Sequence, residues 1–355
     1  MVAAAPPALR AARPTINVCG QDRAALGQGL VGLLIADPAD GLARCEATFG
    51  NWGATPNGVG FLYFDRKLID FGKPFVVKLG TDTLFEGRIT ALEAQYPTGR
   101  PPRLNVLAED RLQELRMTRR TRTFPNATDA DVVRQVAGEH GLSADVDLPG
   151  PSYAVLAQVN QSDLAFLRDR ARAAGAEVWV EGTSLKTKPR TKRGGSPLKL
   201  TYQQGLREFT VTADLAGQRT GVAVGGWDVA GKAALKGEAD DAAVRGELNG
   251  GKSGPSVLSA ALGDRKESVA HAVPLGSDEA KAVAESVMRT LARRFVVGRG
   301  VAETDARLRA GSSAELHGLG PLFDGVYYLS GVRHLFDGTQ GLRTEFTAER
   351  PGLGG

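Results

Sequence analysis

Four histidines, two cysteines and 40 Asp and Glu are the groups of this 355-residue chain that could do acid–base, nucleophilic or metal chemistry. Their spacing assembles no such site. His140, His271, His317 and His334 stand singly, with no second His and no Cys at ligand spacing, and Glu139-His140 is not part of an HExxH pair. A His closing a helix is favoured by the negative end of the helix dipole, so His140 reads as structural. Cys19 and Cys45 form no CxxC and read as buried thiols of a reducing compartment. There is no GxSxG elbow. The glycines of "VGRG" at Val297 and "GGWD" at Gly225 do not lie between a strand and a helix start, where a phosphate cradle would be. The expectation is therefore no catalytic, cofactor or metal residue, and no cofactor.

The cationic residues are the second candidate chemistry. Two runs, "RMTRRTR" at 116–122 and "KTKPRTKR" at 186–193, could contact nucleic-acid phosphates or an acidic protein. No aromatic residues are interleaved for base stacking, and no pattern of two helices with a short turn supplies a reading helix. A net charge of +4 with pI near 9.1 is mildly basic and does not by itself mark a nucleic-acid binder. Solvated loops, or counter-charge to carboxylates, are the simpler expectation, and nucleic acid is not expected as a partner. Trp179 and Trp227 fall in alternating segments and are expected to pack in a core or barrel wall.

The elements that carry these residues follow from hydrophobic period. A hydrophobic share of 42% and a charged share of 24% are ordinary for a globular chain. No run of about 18 apolar residues exists, so no membrane span is expected. The apolar stretch in "MVAAAPPALRAARP" is broken by Pro and Arg, as a signal peptide's would not be, and residues 1–13 are expected to be a flexible N-terminus. Short alternating runs with Gly/Pro punctuation fill 14–117 and predict a small β-barrel. The period then changes over 118–197. Thr128 with Asp131 three residues on opens one helix, Ser162 opens a second, and "AEVWVEGTSLKTKP" forms a hairpin turning near Gly182. Strands return over 198–235 and 299–350 as a second barrel. Between them, 236–268 is polar, Gly-rich and without period, and is expected to be a long mobile loop. A long helix then begins at Ser277 with the apolar stripe Ala280, Val283, Ala284, Val287, Met288, Leu291 and Phe295. The chain is thus α+β and mainly β: two similar small barrels with inserted helical and hairpin segments.

One short pattern occurs twice. "LFEG" at Leu84–Gly87 and "LFDG" at Leu322–Gly325 each precede alternating runs that end in Ala-Glu, once in each strand set. Phe85, Gly87, Phe323 and Gly325 are therefore candidate structural residues of a duplicated hairpin, with Gly87 and Gly325 expected at a turn or bulge of positive φ.

Four segments in order resemble the phage late control D family of tail hubs, related to the N-terminal part of the VgrG spike proteins of type VI secretion. They are "DRLQELRMTRRTRTFPNATDADVVRQVAGEHGL", "SDLAFLRDRARAAGAEVWVEGTSLKTKP", "GVAVGGWDVAGKAAL" and "FDGVYYLSGVRHLFDGTQGLRTEFTAER". They run from about Asp110 to Arg350 and place Trp179, Trp227, Asp228 and His334 among the assembly candidates. The resemblance implies a homotrimeric baseplate hub of a contractile injection system or phage-like tail, and no enzyme. Its two barrels per chain would adapt a sixfold inner tube to a threefold spike. The implied partners are the inner tube protein or a tube initiator, a spike expected to be a separate protein, and baseplate wedge proteins. The implied setting is assembly in the bacterial cytoplasm and residence in a virion or injection particle. A baseplate-associated cell-wall-degrading enzyme and a DNA-binding regulator are the alternatives.

Overall fold

The computed structural model describes residues 13–148, 150–228, 231–248, 250–270, 272, 274 and 276–354; His271 lies outside the described residues. The fold is mainly β, 49% strand and 21% helix. The first unit holds β1 (Thr15–Val18), a short helix α1 (Ala24–Gly29), β2 (Leu30–Pro38), β3 (Arg44–Gly50), β4 (Pro74–Leu79), β5 (Asp82–Gln95) and β6 (Arg103–Glu109). Alternation does the work expected of it: Cys45, Ala47 and Phe49 of β3 and Leu104, Val106 and Ala108 of β6 share one buried face. Cys19, expected inside, is exposed just after β1.

A separate small body follows. It contains α2 (Leu112–Arg116), β7 (Arg119–Ala127), α3 (Asp129–Glu139), β8 (Ser143–Val146), β9 (Tyr153–Ser162), α4 (Asp163–Ala173), β10 (Ala176–Glu181) and β11 (Ser184–Pro189). The helix starts are those the sequence marks. Thr128 Oγ1 accepts from the Asp131 amide at 3.2 Å, and the Asp131 carboxylate accepts from the Thr128 amide at 3.1 Å. Ser162 caps α4 in the same way, accepting from the Ala165 amide at 3.2 Å. These bonds satisfy amides that the first helical turn leaves unpaired. β10 and β11 form the expected hairpin, and β8 joins it in parallel beside β11. Val133, Val136, Leu164 and Leu167 pack with Phe124, Val178 and Leu185 into a core of their own.

The second unit resumes with β12 (Leu198–Tyr202) and β13 (Gly205–Ala213). An insertion then carries β14 (Gly221–Asp228), β15 (Ala233–Asp240), α5 (Gly254–Leu262), β16 (Lys266–Val269) and α6 (Ser277–Arg293). The unit ends with β17 (Val296–Ala302), β18 (Ser313–His317), β19 (Gly325–Asp337) and β20 (Gly341–Arg350). Two expectations fail here. Residues 236–268 are not one long loop. They form most of β15, a 3-10 segment, α5 and β16, with Val244 and Leu258 buried. "GVAVGGWD" is β14, which pairs with β15 and β16 in a separate three-stranded sheet rather than in the barrel. Ala280, Ala284 and Met288 of α6 are buried, Ala284 and Met288 against Val222, Val224 and Val269 of that sheet. The cap of α6 is Gly276, without a side-chain bond, rather than Ser277.

Both units contribute to one sheet. The first unit orders its strands β1-β4-β5-β6-β3-β2, and the second β12-β18-β19-β20-β17-β13. In chain order these are the same six positions, so the strand order is duplicated, although β1 runs antiparallel to β4 and its counterpart β12 runs parallel to β18. The second unit closes: β19 pairs with β20, and β12 meets β13 through Thr201↔Gly205 and Tyr202↔Leu206. The first unit shows no β1–β2 ladder among the described residues; instead β2 pairs with β19, from Gly331↔Pro38 to Asp337↔Gly32.

Candidate functional site

The bulges fix the correspondence between the units. Against β6, strand β5 slips after Ile89↔Ala108; against β20, strand β19 slips after Leu329↔Ala348. Strand β2 slips after Leu30 against β3, and β13 slips after Leu206 against β17. Extra residues at the same place in two strand pairs mark a bend of the sheet common to both units. This register equates Ile89 with Leu329 and Leu30 with Leu206. It also shows that the repeated tetrapeptides are not equivalent. Leu84–Gly87 lies within β5, whereas Leu322–Asp324 is a turn and Gly325 only begins β19, so the motifs sit two residues out of step.

The two glycines accordingly do different things. Gly87 does not have positive φ, contrary to expectation. A Cβ there would lie 2.3 Å from the Glu109 carbonyl oxygen and 2.6 Å from the Phe85 ring. Its role is close approach of β5 to β6. Gly325 has φ +133, as expected of a glycine position, and a Cβ would meet only Arg350 Nη1, at 2.8 Å. Arg350 clasps the turn from the last strand, donating to the Asp324 carbonyl at 2.8 Å and the Leu322 carbonyl at 2.6 Å. Phe323 is partly buried against the second core, and its carbonyl accepts from Tyr327 Oη at 2.7 Å. Phe85 is fully buried in the first core.

The other candidates divide. Trp179 is buried, donates from Nε1 to Glu181 at 2.9 Å, and carries the Arg193 guanidinium 4.5 Å above its ring. Trp227 is 58% exposed, a correction to its expected packing: it lies near the end of β14, in the three-stranded sheet outside the barrel. Asp228 beside it accepts from the Gly231 amide at 3.0 Å. His334 is fully buried with Nδ1 2.8 Å from Thr344 Oγ1. Burial, helped by Arg309, pushes its pKa down to about 4, so it is neutral at pH 7.

The remaining titratable groups are engaged in structure. His140 lies 2.9 Å from Asp163. Burial opposes ionisation of Asp163, but His140, Gln158 and Arg122 outweigh it and hold the carboxyl below its usual range. His317 sits 3.3 Å from Glu315. The basic runs turn inward on the chain's own carboxylates. Arg116 pairs with Glu109, and Arg120 and Arg122 both pair with Glu139 and Asp163. Lys186 and Lys188 meet Asp145, Arg190 meets Glu349, and Arg193 meets Glu177. Cations spent in this way are not an open phosphate-binding stripe. Among the described residues no group of three or more His, Cys, Asp or Glu is placed to hold a metal ion.

What the surface does offer is aromatic. The loop between β3 and β4 exposes Trp52, Phe61, Phe64 and Phe71, and Tyr96 follows β5. Phe61 stacks on Phe64 at 4.8 Å and meets Trp52 edge-on at 5.1 Å and Tyr96 at 6.4 Å. Sequence reading missed this cluster, although "NWGATPNGVGFLYFD" holds four of the chain's 22 aromatics. A contiguous exposed aromatic patch is a contact surface by its physical character, because leaving it in water is unfavourable.

A family model described as the Alg8 N-terminal domain matches residues 72–337, from just before β4 of the first unit, through the body between the units, to the end of β19 of the second. The chain belongs to the Alg8 N-terminal domain family. This family member also superposes over nearly its whole length on solved tail proteins. The 43 kDa tail protein of prophage MuSo2 from Shewanella oneidensis matches with TM-score 0.69 and 12% identity, covering 96% of this chain and 98% of that one. The tail protein from Neisseria meningitidis MC58 matches with TM-score 0.66 and 14% identity, covering 96% and 97%. The E. coli c3393 protein, a component of the type VI secretion system, matches with TM-score 0.57 and 12% identity, covering 94% and 76%. At such identities the likeness is one of fold, and the fold is that of tail proteins and type VI hubs. No curated protein matches the sequence.

Proposed function

We propose that this Alg8 N-terminal domain family member is the structural hub of a contractile injection system or phage-like tail, acting as a homotrimer rather than as an enzyme. The observation that carries the reading is the duplicated unit: the same six-strand order twice, with bulges in matching register. Three chains then present six near-equivalent units to a sixfold inner tube, while the trimer keeps threefold symmetry for a spike. The role is mechanical. The ring seeds tube assembly on one face, seats the spike on the other, and meets baseplate wedge proteins at its rim. The tail-protein fold of its structural neighbours supports this setting, and with it assembly in the bacterial cytoplasm and residence in a virion or injection particle. No helix among the described residues is long and apolar enough to cross a membrane.

Light scattering over a range of concentrations, with and without the cognate spike, tests the proposal. A mass of three chains in either condition is expected. A monomer in both, together with particles whose baseplate ring lacks threefold density for this chain, would remove the hub reading.

A further inference from the structure

Strand β19 has two neighbours on one side. Its first residues pair with β18, and after the bulge residues 331–337, still paired with β20 on the other side, pair with β2 of the first unit. That junction buries Val332, His334 and Phe336, the last only 6% exposed, and on the facing strand Leu33 and Ile35. The equivalent stretch of β5 is residues 91–95, on from its own bulge. It pairs with β6 on one side, and no strand occupies its other side among the described residues. Its counterparts to the buried residues are uncovered: Leu92 is half-buried, Ala94 exposed and Tyr96 65% exposed. The equivalent of β2 is β13. Beyond Leu206 it pairs only with β17 among the described residues, and Phe209 and Val211, at the positions of Leu33 and Ile35, are half-buried.

The molecule therefore makes one β5/β19-type to β2/β13-type junction within the chain and leaves both halves of a second open. We infer that copies of this chain join head to tail by antiparallel pairing of residues 91–95 of one protomer with residues 210–214 of the next. Transfer of the internal register sets Leu92 opposite Ala213, Glu93 opposite Thr212, Ala94 opposite Val211 and Gln95 opposite Thr210. This inference rests on the hub reading and supplies its interface. Two edges that match in shape on one molecule but lie apart on it make a heterologous contact, which builds a ring when the rotation closes. Backbone pairing supplies affinity, and alternate apolar side chains supply register.

Chemistry at the junction's end agrees. Within the chain, Asp37 accepts from the Ala310 amide at 3.1 Å and from Arg309 at 3.3 Å, both in the loop between β17 and β18. The equivalent of Asp37 is Ala213, and the equivalent loop, between β3 and β4, carries Trp52, Phe61 and Phe64. An acid facing an arginine loop is thus replaced by an alanine facing an aromatic one. Both sides change together, as two surfaces in contact must, and the aromatic patch gains an occupant.

Paired cysteines test the register on full-length chain in a Cys19→Ser background. Glu93→Cys with Thr212→Cys is the matched pair; Glu93→Cys with Thr210→Cys is displaced by two. Directly opposite residues have Cβ atoms about 5 Å apart and diagonal ones about 7–8 Å, so mild oxidation should link the matched pair at least about tenfold faster. Covalent dimers and trimers, with the ladder ending at three, are expected. Ala94→Lys, which changes only an exposed side chain, should weaken self-association roughly tenfold with circular dichroism unchanged, because an edge lysine disfavours pairing. A trimer by light scattering in which the displaced pair links as fast, or neither pair links and Ala94→Lys has no effect, would overturn this interface and leave the hub reading standing. A monomer under every condition would overturn both.

Discussion

The first and second units share six strand positions and two bulges but differ in closure. The second is a ring of six strands sealed where β19 meets β20 and β12 meets β13. The first keeps β1 against β4 and sends β2 across to β19. The reason is local. In the second unit β12 and β13 are separated by two residues and run into one another. In the first, α1 occupies the interval between β1 and β2. The second unit in turn accepts an insertion that carries β14, β15, β16, α5 and α6 between β13 and β17, where the first has a short turn between β2 and β3. Duplication here keeps the strand order and frees the connections, which is where a fold tolerates change. It also leaves the two units with unequal edges, one used inside the chain and one left for a neighbour.

The two glycines give the sharpest contrast and the largest expected effect. Gly87→Val drives side-chain carbons into the Glu109 carbonyl, a backbone atom that cannot move without opening β5–β6, so a loss of about 4 kcal/mol or more is expected. Gly325→Val meets the movable end of Arg350 and a strained φ, which costs on the order of 1–3 kcal/mol. Urea unfolding of both variants measures the difference. Equal losses would mean that the glycines serve one role, against the two-residue offset.

The tryptophans come next. Trp179→Ala should cost about 3–5 kcal/mol, as a buried aromatic does. Trp227→Ala should change stability by less than about 1 kcal/mol, since its side chain is mostly in water. A large loss at Trp227 would place β14 in a packed environment that the monomer lacks.

The smallest expected effect is on pH dependence, where two buried groups act in opposite directions. His334 has its pKa lowered from 6.5 to about 4, so the unfolded chain takes up this proton first. Its contribution to stability is complete above pH 6.5 and is lost as pH falls through that value toward 4. Asp110 is raised from 3.8 to about 6, by burial first and by Asp37, against the amides of Ala43 and Leu112. Its contribution is complete below pH 3.8 and is lost as pH rises through about 6. The window between 4 and 6.5 should therefore show a shallow net slope. His334→Gln should tilt it so that stability falls with rising pH. An unchanged slope in that variant would show that His334 titrates normally.

The caps at Thr128 and Ser162, the hairpin at Gly182, the apolar stripe of α6 and the alternation of β3 and β6 were all legible in the sequence. Each depends on residues a few positions apart, and a chain of L-amino acids resolves such choices locally. Even α5, read as part of a loop, had a local mark in Ser253 followed by Pro255, and Ser253 does accept from the Ser256 amide at 3.2 Å. That signal was lost in a polar, glycine-rich setting. Tertiary structure alone decided the rest. The repeated Leu-Phe-acid-Gly motifs fall two residues out of step because register is set by pairing with strands far away in sequence. β14 left the barrel because α6 covers its apolar face, and Trp227 was left in water near the end of that strand. The basic runs became internal ion pairs once folding brought Glu139, Asp145, Asp163 and Glu349 beside them. Which sheet edges are filled and which stay open depends on where two distant strands meet, and no short-range pattern encodes that.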